Sequence, residues 1–184
     1  MPDLPLQHRF QIVSAPAVEP ITVSEAKAHM RIEHSDDDAL IARLIDVAVS
    51  FVDVRGALGK AMISQTWGEW LGPNPSVVYL SLGPVQSVSA IKYYDTNNAL
   101  QTDTLSNYNV LGTSGRTVVS PKTGFSWPTT FQRDDAIKIE YVIGYGATRA
   151  DIPSSVRHAL LMLVAHYHEN REVELVGVNS KTLP

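Results

Sequence analysis

The hydrophobic residues between positions 38 and 56 recur three or four residues apart. After Leu40 they form one series, which is Ile41, Leu44, Ile45, Ala48, Phe51 and Val52. This spacing places side chains on one face of an α-helix, so the segment predicts an amphipathic helix that ends near Gly56 or Gly59. The preceding Ser35-Asp36-Asp37-Asp38 is a start signal, with Ser35 as the cap and three carboxylates in the first turn, where the helix dipole favours negative charge.

Two further helices are predicted on either side of the middle of the chain. Thr22-Val23-Ser24-Glu25 has the spacing of a capping box, which predicts a short helix to about Arg31. Pro153 stands near the first position of a helix expected to continue to residue 172. The buried stripe of that helix is expected to contain Val156, Ala159, Leu160, Leu163, Val164 and Tyr167. Because no helix buries its stripe alone, the helices before and after the middle of the chain should pack together.

The hydrophobic pattern between residues 60 and 146 is typical of β-strands. Ile63, Gln65, Trp67, Glu69 and Leu71 alternate with smaller polar residues. Turn-forming residues interrupt the region at 72–75, 83–84, 95–98 and 112–115. The pattern predicts about five to seven short antiparallel strands in a small sandwich or barrel.

These elements predict an α+β fold, in which a small bundle of N-terminal and C-terminal helices carries an inserted antiparallel β unit. We expect a single domain over residues 1–184. Its parts, in order, are an extended proline-rich arm (1–20), helices (21–59), the β-rich insertion (60–146), a C-terminal helix (153–172) and a tail (173–184).

Composition and charge narrow the range of functions. The 184 residues include no Cys, which excludes disulfides and thiolate-bound metals within the chain. The formal net charge is −4, and the 15 Lys and Arg residues are scattered along the sequence. A surface that grips nucleic acid needs clustered basic residues, so specific DNA binding is not expected. No apolar run approaches the length of a membrane span, and we expect no membrane association.

The motifs that could be taken for metal-binding or dinucleotide-binding sites are better explained as structural features. His166 and His168 are two residues apart and would point about 200° apart on a helix, so they cannot share one metal ion. Asp36-Asp37-Asp38 lacks the alternating ligands and the glycine of a calcium loop. Gly144-Tyr145-Gly146 lacks the third glycine of a dinucleotide loop, where Arg149 stands instead. We therefore predict no catalytic, cofactor-binding or metal-binding residue, and no cofactor.

Aromatic residues in the predicted strands allow two interpretations. They could form a stacking platform for single-stranded nucleic acid, or they could belong to the core or to a protein interface. The second interpretation is favoured because Lys and Arg are not interleaved with them in the sequence. The residues concerned are Trp67, Trp70, Tyr93, Tyr94, Tyr108 and Trp127.

An ordered set of short motifs spans about residues 20 to 177. It consists of residues 21–32, 36–41, 63–67, 82–88, 124–128, 141–146 and 153–171, and it begins with Ile21-Thr22-Val23-Ser24-Glu25-Ala26. In this order the motifs resemble the head-to-tail connector (adaptor) proteins of long-tailed phages, prophages and gene transfer agents. Each motif is weak alone, and the resemblance depends on their common order.

The resemblance implies a structural, non-enzymatic subunit that forms a ring of about a dozen copies between the portal and the tail. Its partners would be other copies of itself, the portal protein and a tail-side neck or stopper protein, and DNA would pass through without specific binding. The implied location is the neck of the virion, after assembly from the host cytoplasm. The alternatives are another neck or tail-completion structural protein and, much less favoured, a metal-dependent hydrolase.

Candidate partner-interface residues lie near the C-terminus. Glu169, Asn170 and Arg171 are predicted at an exposed helix end, and Leu183 lies in the tail. The alternative for the three helix-end residues is ordinary solvated polarity at a helix terminus.

Overall fold

The computed structural model describes residues 9–113 and 116–170. Within these residues the elements are β1 (Arg9–Ser14), α1 (Val23–Met30), α2 (Asp38–Val52), β2 (Gln65–Leu71), β3 (Val78–Leu80), β4 (Val85–Tyr94), β5 (Leu100–Asp103), β6 (Tyr108–Thr113), β7 (Arg116–Pro121), β8 (Ile137–Ile143) and α3 (Ser154–Glu169). The predicted α+β class is confirmed, since these helices accompany two antiparallel sheets.

The capping box before α1 is confirmed. The Glu25 backbone N–H donates to Thr22 Oγ1 over 3.1 Å, and the Glu25 carboxylate accepts the Thr22 backbone N–H over 2.8 Å. At the other end, Arg31 adopts a left-handed conformation with φ of 60°. Local sequence signals therefore define both ends of this helix.

The prediction that Ser35 caps α2 is wrong. The helix begins at Asp38, and the N-cap residue Asp37 makes no side-chain hydrogen bond to the helix amides. The Ser35 carbonyl accepts from the Asp38 N–H over 3.2 Å in a preceding turn. Asp37 Oδ2 instead lies 3.4 Å from His168 Nε2 near the end of α3. The Asp37 carboxylate, which the sequence signal had assigned to the start of α2, thus makes a contact with α3 instead.

The helices before and after the β region pack together, as predicted. Ile41 and Ile45 of α2 and Leu160 and Val164 of α3 are buried in one cluster. Met62, which precedes β2, is buried in the same cluster and joins the helices to the sheet. His168 and Asp37 meet at opposite ends of their helices, so α2 and α3 run antiparallel.

The larger sheet has the strand order β1-β2-β8-β4-β5, and all of its neighbouring strands are antiparallel. Its central strand β8 contributes Ile137, Ile139, Tyr141 and Ile143, which are fully buried. The edge strand β1 comes from the segment predicted as an extended arm and pairs with β2. The sheet therefore takes one strand from outside residues 60–146.

The smaller sheet has the order β3-β7-β6 and packs its inner face on the larger sheet. Residues 60–146 contain seven strands, β2 to β8, within the predicted five to seven, and β1 is an eighth strand from outside that region. The unforeseen strand is β1, at a sheet edge, where most side chains are exposed and the hydrophobic alternation is weak. Among the described residues, no helix is long and apolar enough to cross a membrane.

Candidate partner interface

The C-terminal end of α3 places two of the predicted interface residues. Glu169 is exposed at the last helical position, and Asn170 follows it as the cap. Asn170 Nδ2 donates to the His166 carbonyl and lies near His166 Nδ1, each over 3.1 Å. Asn170 thus fixes the end of its own helix and leaves Glu169 available to a partner. Arg171 and Leu183 lie outside the described residues.

The two histidines at this helix end have different surroundings. His166 is exposed beside Asn170, whereas His168 is half-buried against Asp37. Within residues 9–113 and 116–170, no three His, Asp or Glu side chains are grouped so that they could hold a metal ion. Asp38, in the acidic cluster, pairs with Lys27 Nζ over 2.6 Å. Asp37 and Asp38 therefore connect α2 to α3 and α1, whereas His166 contacts only the end of its own helix among these residues.

The aromatic residues divide into two groups. Trp67, Trp127 and Tyr108 are buried, and the Tyr108 and Trp127 rings have centroids 4.9 Å apart. Trp70 and Tyr94 are half-buried and stacked, with centroids 6.0 Å apart. The first group belongs to the core, in agreement with the favoured interpretation.

Two cations lie beside the stacked rings of Trp70 and Tyr94, and their position was not predicted from the sequence. The Arg133 guanidinium lies 3.7 Å from the Tyr94 centroid, and Lys138 Nζ lies 5.2 Å from that of Trp70. Arg133 also pairs with Asp135, over 2.5 and 2.9 Å, and Lys138 pairs with Glu140 over 2.9 Å. Because both cations are neutralised by carboxylates, this surface is poorly suited to a phosphate backbone.

A buried polar network between the sheets was not recognised from the sequence. Glu69 is fully buried, and its carboxylate accepts hydrogen bonds from Tyr141 Oη and Ser81 Oγ, each over 2.7 Å. The Ser81 N–H donates to the same carboxylate over 3.2 Å, and the Leu82 N–H donates to Tyr141 Oη over 3.4 Å. The strand alternation could have revealed that Glu69 is buried, because its side chain lies on the same inward face of β2 as those of Trp67 and Leu71.

The electrostatic properties of this network are those expected of hydrogen bonds that stabilise the fold. Burial raises the pKa of Tyr141 well above its usual value, and the Glu69 charge and hydrogen bond raise it further, with a smaller opposing effect of the Leu82 N–H. The hydroxyl therefore remains a proton donor to the carboxylate at any physiological pH. Since Glu69 and Tyr141 are both fully buried, a substrate does not reach them.

The apolar residues of α2 form two stripes rather than the single one predicted. Ile41, Ile45 and Ala48 are buried, but Val47 and Phe51 are 49% and 55% exposed. The single series failed because residues one position apart lie about 100° apart around the helix. Leu40 and Leu44 precede Val47 and Phe51 on the second stripe and are half-buried.

The apolar face predicted for α3 also needs correction. Ala159, assigned to the buried stripe, is exposed, and Met162 next to it is 56% exposed. The buried face is centred on Leu160 and Val164, and Ala159 lies about 100° from Leu160. Both long helices therefore present apolar side chains to the outside.

A third apolar surface lies on the outer face of the smaller sheet. Tyr79 of β3 and Leu111 of β6 both stand opposite Val118 of the middle strand β7. Tyr79 is 56% exposed and Leu111 is 60% exposed. Exposed apolar patches of this kind are typical of protein–protein contacts.

Solved structures with a similar fold come from particles that transfer genes. One neighbour is described as the neck of an empty GTA particle computed with C6 symmetry, with a TM-score of 0.76, 19% identity, and coverage of 93% of this chain and 89% of the other. Another is described as the neck of a native GTA particle computed with C12 symmetry, with a TM-score of 0.69, 18% identity, and coverage of 92% and 88%. At this level of identity, the similarity establishes the shared fold.

The sequence itself matches a known family. The model of the head completion protein family covers residues 19–182. No match was found among curated proteins. Head completion proteins are structural components of the particle rather than enzymes, which agrees with the resemblance to connector proteins drawn from the ordered motifs. Because the match extends over nearly the whole chain, this protein belongs to the head completion protein family.

Proposed function

We propose that this protein is a head-to-tail connector subunit that assembles into a ring in the neck of a phage or phage-like particle. The observation that carries the proposal is the family match over residues 19–182 together with a fold shared with a particle neck of C12 symmetry. The ring would contain about a dozen copies, and residues 1–184 would act as a single connector domain.

Partners of the ring follow from its position. One face would bind the portal protein and the opposite face a tail-side neck or stopper protein. The exposed Glu169 at the end of α3, next to the capped helix terminus at Asn170, is the described part of the candidate partner contact. Arg171 and Leu183 complete this candidate contact in the proposal.

The charge of the chain supports a passive role toward DNA. Its formal net charge is −4, and several of its cations are held by carboxylates of the same chain. A channel lined by such subunits would repel the phosphate backbone and let DNA pass without specific binding. Subunits would assemble in the host cytoplasm before they are incorporated in the virion.

The proposal is tested by measuring particle mass by light scattering over a concentration series, with the full chain alone and mixed with the portal protein encoded beside it. We expect a ring-sized species, either in the protein alone or in the mixture only. A portal protein from an unrelated particle serves as the control and should not promote rings. A chain that stays monomeric at every concentration with its own portal protein would contradict the connector function.

A further inference from the structure

The second, partly exposed stripe of α2 repeats the spacing of the buried stripe. Leu40, Leu44, Val47 and Phe51 each directly precede one residue of the series Ile41, Ile45, Ala48 and Val52. The second stripe is therefore rotated by about 100° from the first and extends over about 16 Å of helix. Leu44 also packs against the chain's own buried cluster, whereas Val47 and Phe51 are 49% and 55% exposed. The second stripe therefore extends the apolar surface of α2 outward, where another helix can pack on it.

The outward face of α3 has the same spacing. Ser155, Ala159, Met162 and His166 are all exposed and lie on one side of the helix. Small side chains at Ser155 and Ala159 allow another helix to approach closely, and Met162 adapts its shape to the partner. The two faces differ in composition, with four large apolar residues on α2 and two small residues, Ser155 and Ala159, among the four on α3.

Two different faces on one chain are what a ring requires, because each subunit in a head-to-tail ring binds its two neighbours through different surfaces. Neighbours in a twelve-membered ring are related by a rotation of about 30°, so corresponding helices keep nearly the same direction. Since α2 and α3 are antiparallel within one copy, as the contact between Asp37 and His168 establishes, α3 is also antiparallel to α2 of the next copy.

The antiparallel arrangement makes the two faces complementary. When Val47 is set opposite Met162, the large Phe51 falls opposite the small Ala159. The same register brings the N-terminal half of α2, with the exposed Arg43, beside the C-terminal end of α3, with the exposed Glu169. Opposite charges at the rim of an apolar contact favour this pairing over the reversed one.

On the basis of the proposed ring, we propose that the stripe from Leu40 to Phe51 of α2 binds the Ala159 and Met162 face of α3 in a second copy of this chain, with Arg43 and Glu169 paired at the rim. Repetition of this contact closes the ring through alternating α2 and α3 helices. The role predicted for Glu169 thereby becomes a contact between copies.

Because the 184 residues include no Cys, disulfide crosslinking gives a clean test. The full-length double variant Val47→Cys and Met162→Cys is assembled with or without the portal protein and oxidised. We expect a ladder of covalent multimers on a non-reducing gel. The matched control Val47→Cys and Leu111→Cys should give at least about tenfold less ladder, because Leu111 lies on the smaller sheet, away from the proposed contact.

A mixture of two single variants, Val47→Cys and Met162→Cys, checks the pairing between copies and should give only covalent dimers that contain one chain of each kind. Rings that assemble normally but yield no ladder and no mixed dimer would overturn the α2–α3 contact and leave the ring proposal intact. Failure of the wild-type chain to form rings would overturn the proposed function and this contact with it.

Charge reversal supplies a second measurement. Arg43→Glu and Glu169→Arg should each raise the protein concentration needed for half-assembly at least about fivefold, and the double variant should restore it. Each variant is first checked by circular dichroism for an unchanged fold. Equal assembly by the single variants and the wild type would remove Arg43 and Glu169 from the contact.

Discussion

Glu25 of α1 and Arg157 of α3 form an ion pair across 132 residues of sequence. The same Glu25 carboxylate accepts the Thr22 N–H over 2.8 Å and so closes the capping box of α1. The Glu25 side chain thus caps the start of α1 and links that helix to α3. Both paired side chains are about one-third exposed, so solvent weakens the ion pair and the cap contributes much of the stability.

Replacement of Glu25 by Ala should lower the free energy of unfolding by about 1–2 kcal/mol, because it removes the reciprocal cap and the ion pair together. Urea denaturation at neutral pH measures this change. Glu33, exposed in the connection between α1 and α2, provides the matched control, and Glu33→Ala should change stability by less than about 0.5 kcal/mol. Equal stability of the two variants would show that Glu25 contributes nothing beyond its charge.

The same residue predicts a pH dependence of stability. Burial raises the pKa of Glu25, but the hydrogen bonds from Thr22 and the interaction with Arg157 outweigh this effect and hold the pKa below the ordinary value of 4.5. A carboxyl group with a lowered pKa contributes stability that is present above the unfolded-state pKa and is lost as the pH falls through the folded-state pKa. Glu25→Gln should therefore lose less stability than the wild type below pH 4.5. An identical acid dependence of unfolding in the two chains would contradict this assignment.

Local sequence signals predicted the parts of the fold that depend on residues close together in the sequence. The capping box at Thr22 was recognisable because both of its partners lie within one helical turn. The strand order was not, because β4 pairs with β8 about 50 residues later, with Ile91 opposite Ile139, and no local pattern specifies that partner. Helix geometry separates Phe51 from Val52 by about 100°, but the face that is buried is chosen by tertiary neighbours, so the exposure of Phe51 was missed.

The buried carboxylate of Glu69 should be costly to disturb. Tyr141→Phe removes one of its donors, and we expect a loss of about 2 kcal/mol in the free energy of unfolding. Glu69→Ala should cost at least as much, because the Tyr141 and Ser81 hydroxyls then lose their acceptor.

The two changes should not be additive. In the double variant the Tyr141 hydroxyl is no longer present to lose its acceptor, so its cost should fall short of the two single costs combined by at least about 1 kcal/mol. Chemical denaturation of the four chains gives this coupling energy. Tyr79→Phe, at a hydroxyl-bearing ring that is 56% exposed, is the control and should be nearly neutral. Full additivity would refute the coupling between Glu69 and Tyr141.

Replacement of Gly144, directly after β8, by any larger residue should destabilise the protein. Its φ is 131°, and an added Cβ would lie 2.7 Å from backbone atoms of Ile63 and Ser64. Gly144→Ala should therefore destabilise the protein by at least about 2 kcal/mol in thermal or chemical unfolding, through strain and a backbone clash. Gly124 has a φ of 87° and nothing within 4 Å of an added Cβ, so Gly124→Ala adds strain alone and should cost only about 1 kcal/mol. Equal losses at the two positions would exclude the clash as the cause.

Several of the 15 Lys and Arg residues of this chain form internal ion pairs. The pairs are Lys27 with Asp38, Lys92 and Lys138 with Glu140, Arg133 with Asp135, and Arg157 with Glu25. A phosphate backbone would have to compete with a carboxylate at each of them, in a chain whose formal net charge is −4.

We therefore expect no saturable binding of double-stranded DNA up to about 100 µM protein at about 0.15 M salt, measured by fluorescence anisotropy. The variant Glu19→Lys and Glu33→Lys changes two exposed carboxylates to amines and raises the formal net charge from −4 to zero, because each substitution adds two positive charges. Detectable, salt-sensitive binding by this variant would show that the assay responds to charge. Tight binding by the wild-type chain that is insensitive to salt would contradict passive passage of DNA, because it would require contacts with the bases rather than the phosphates.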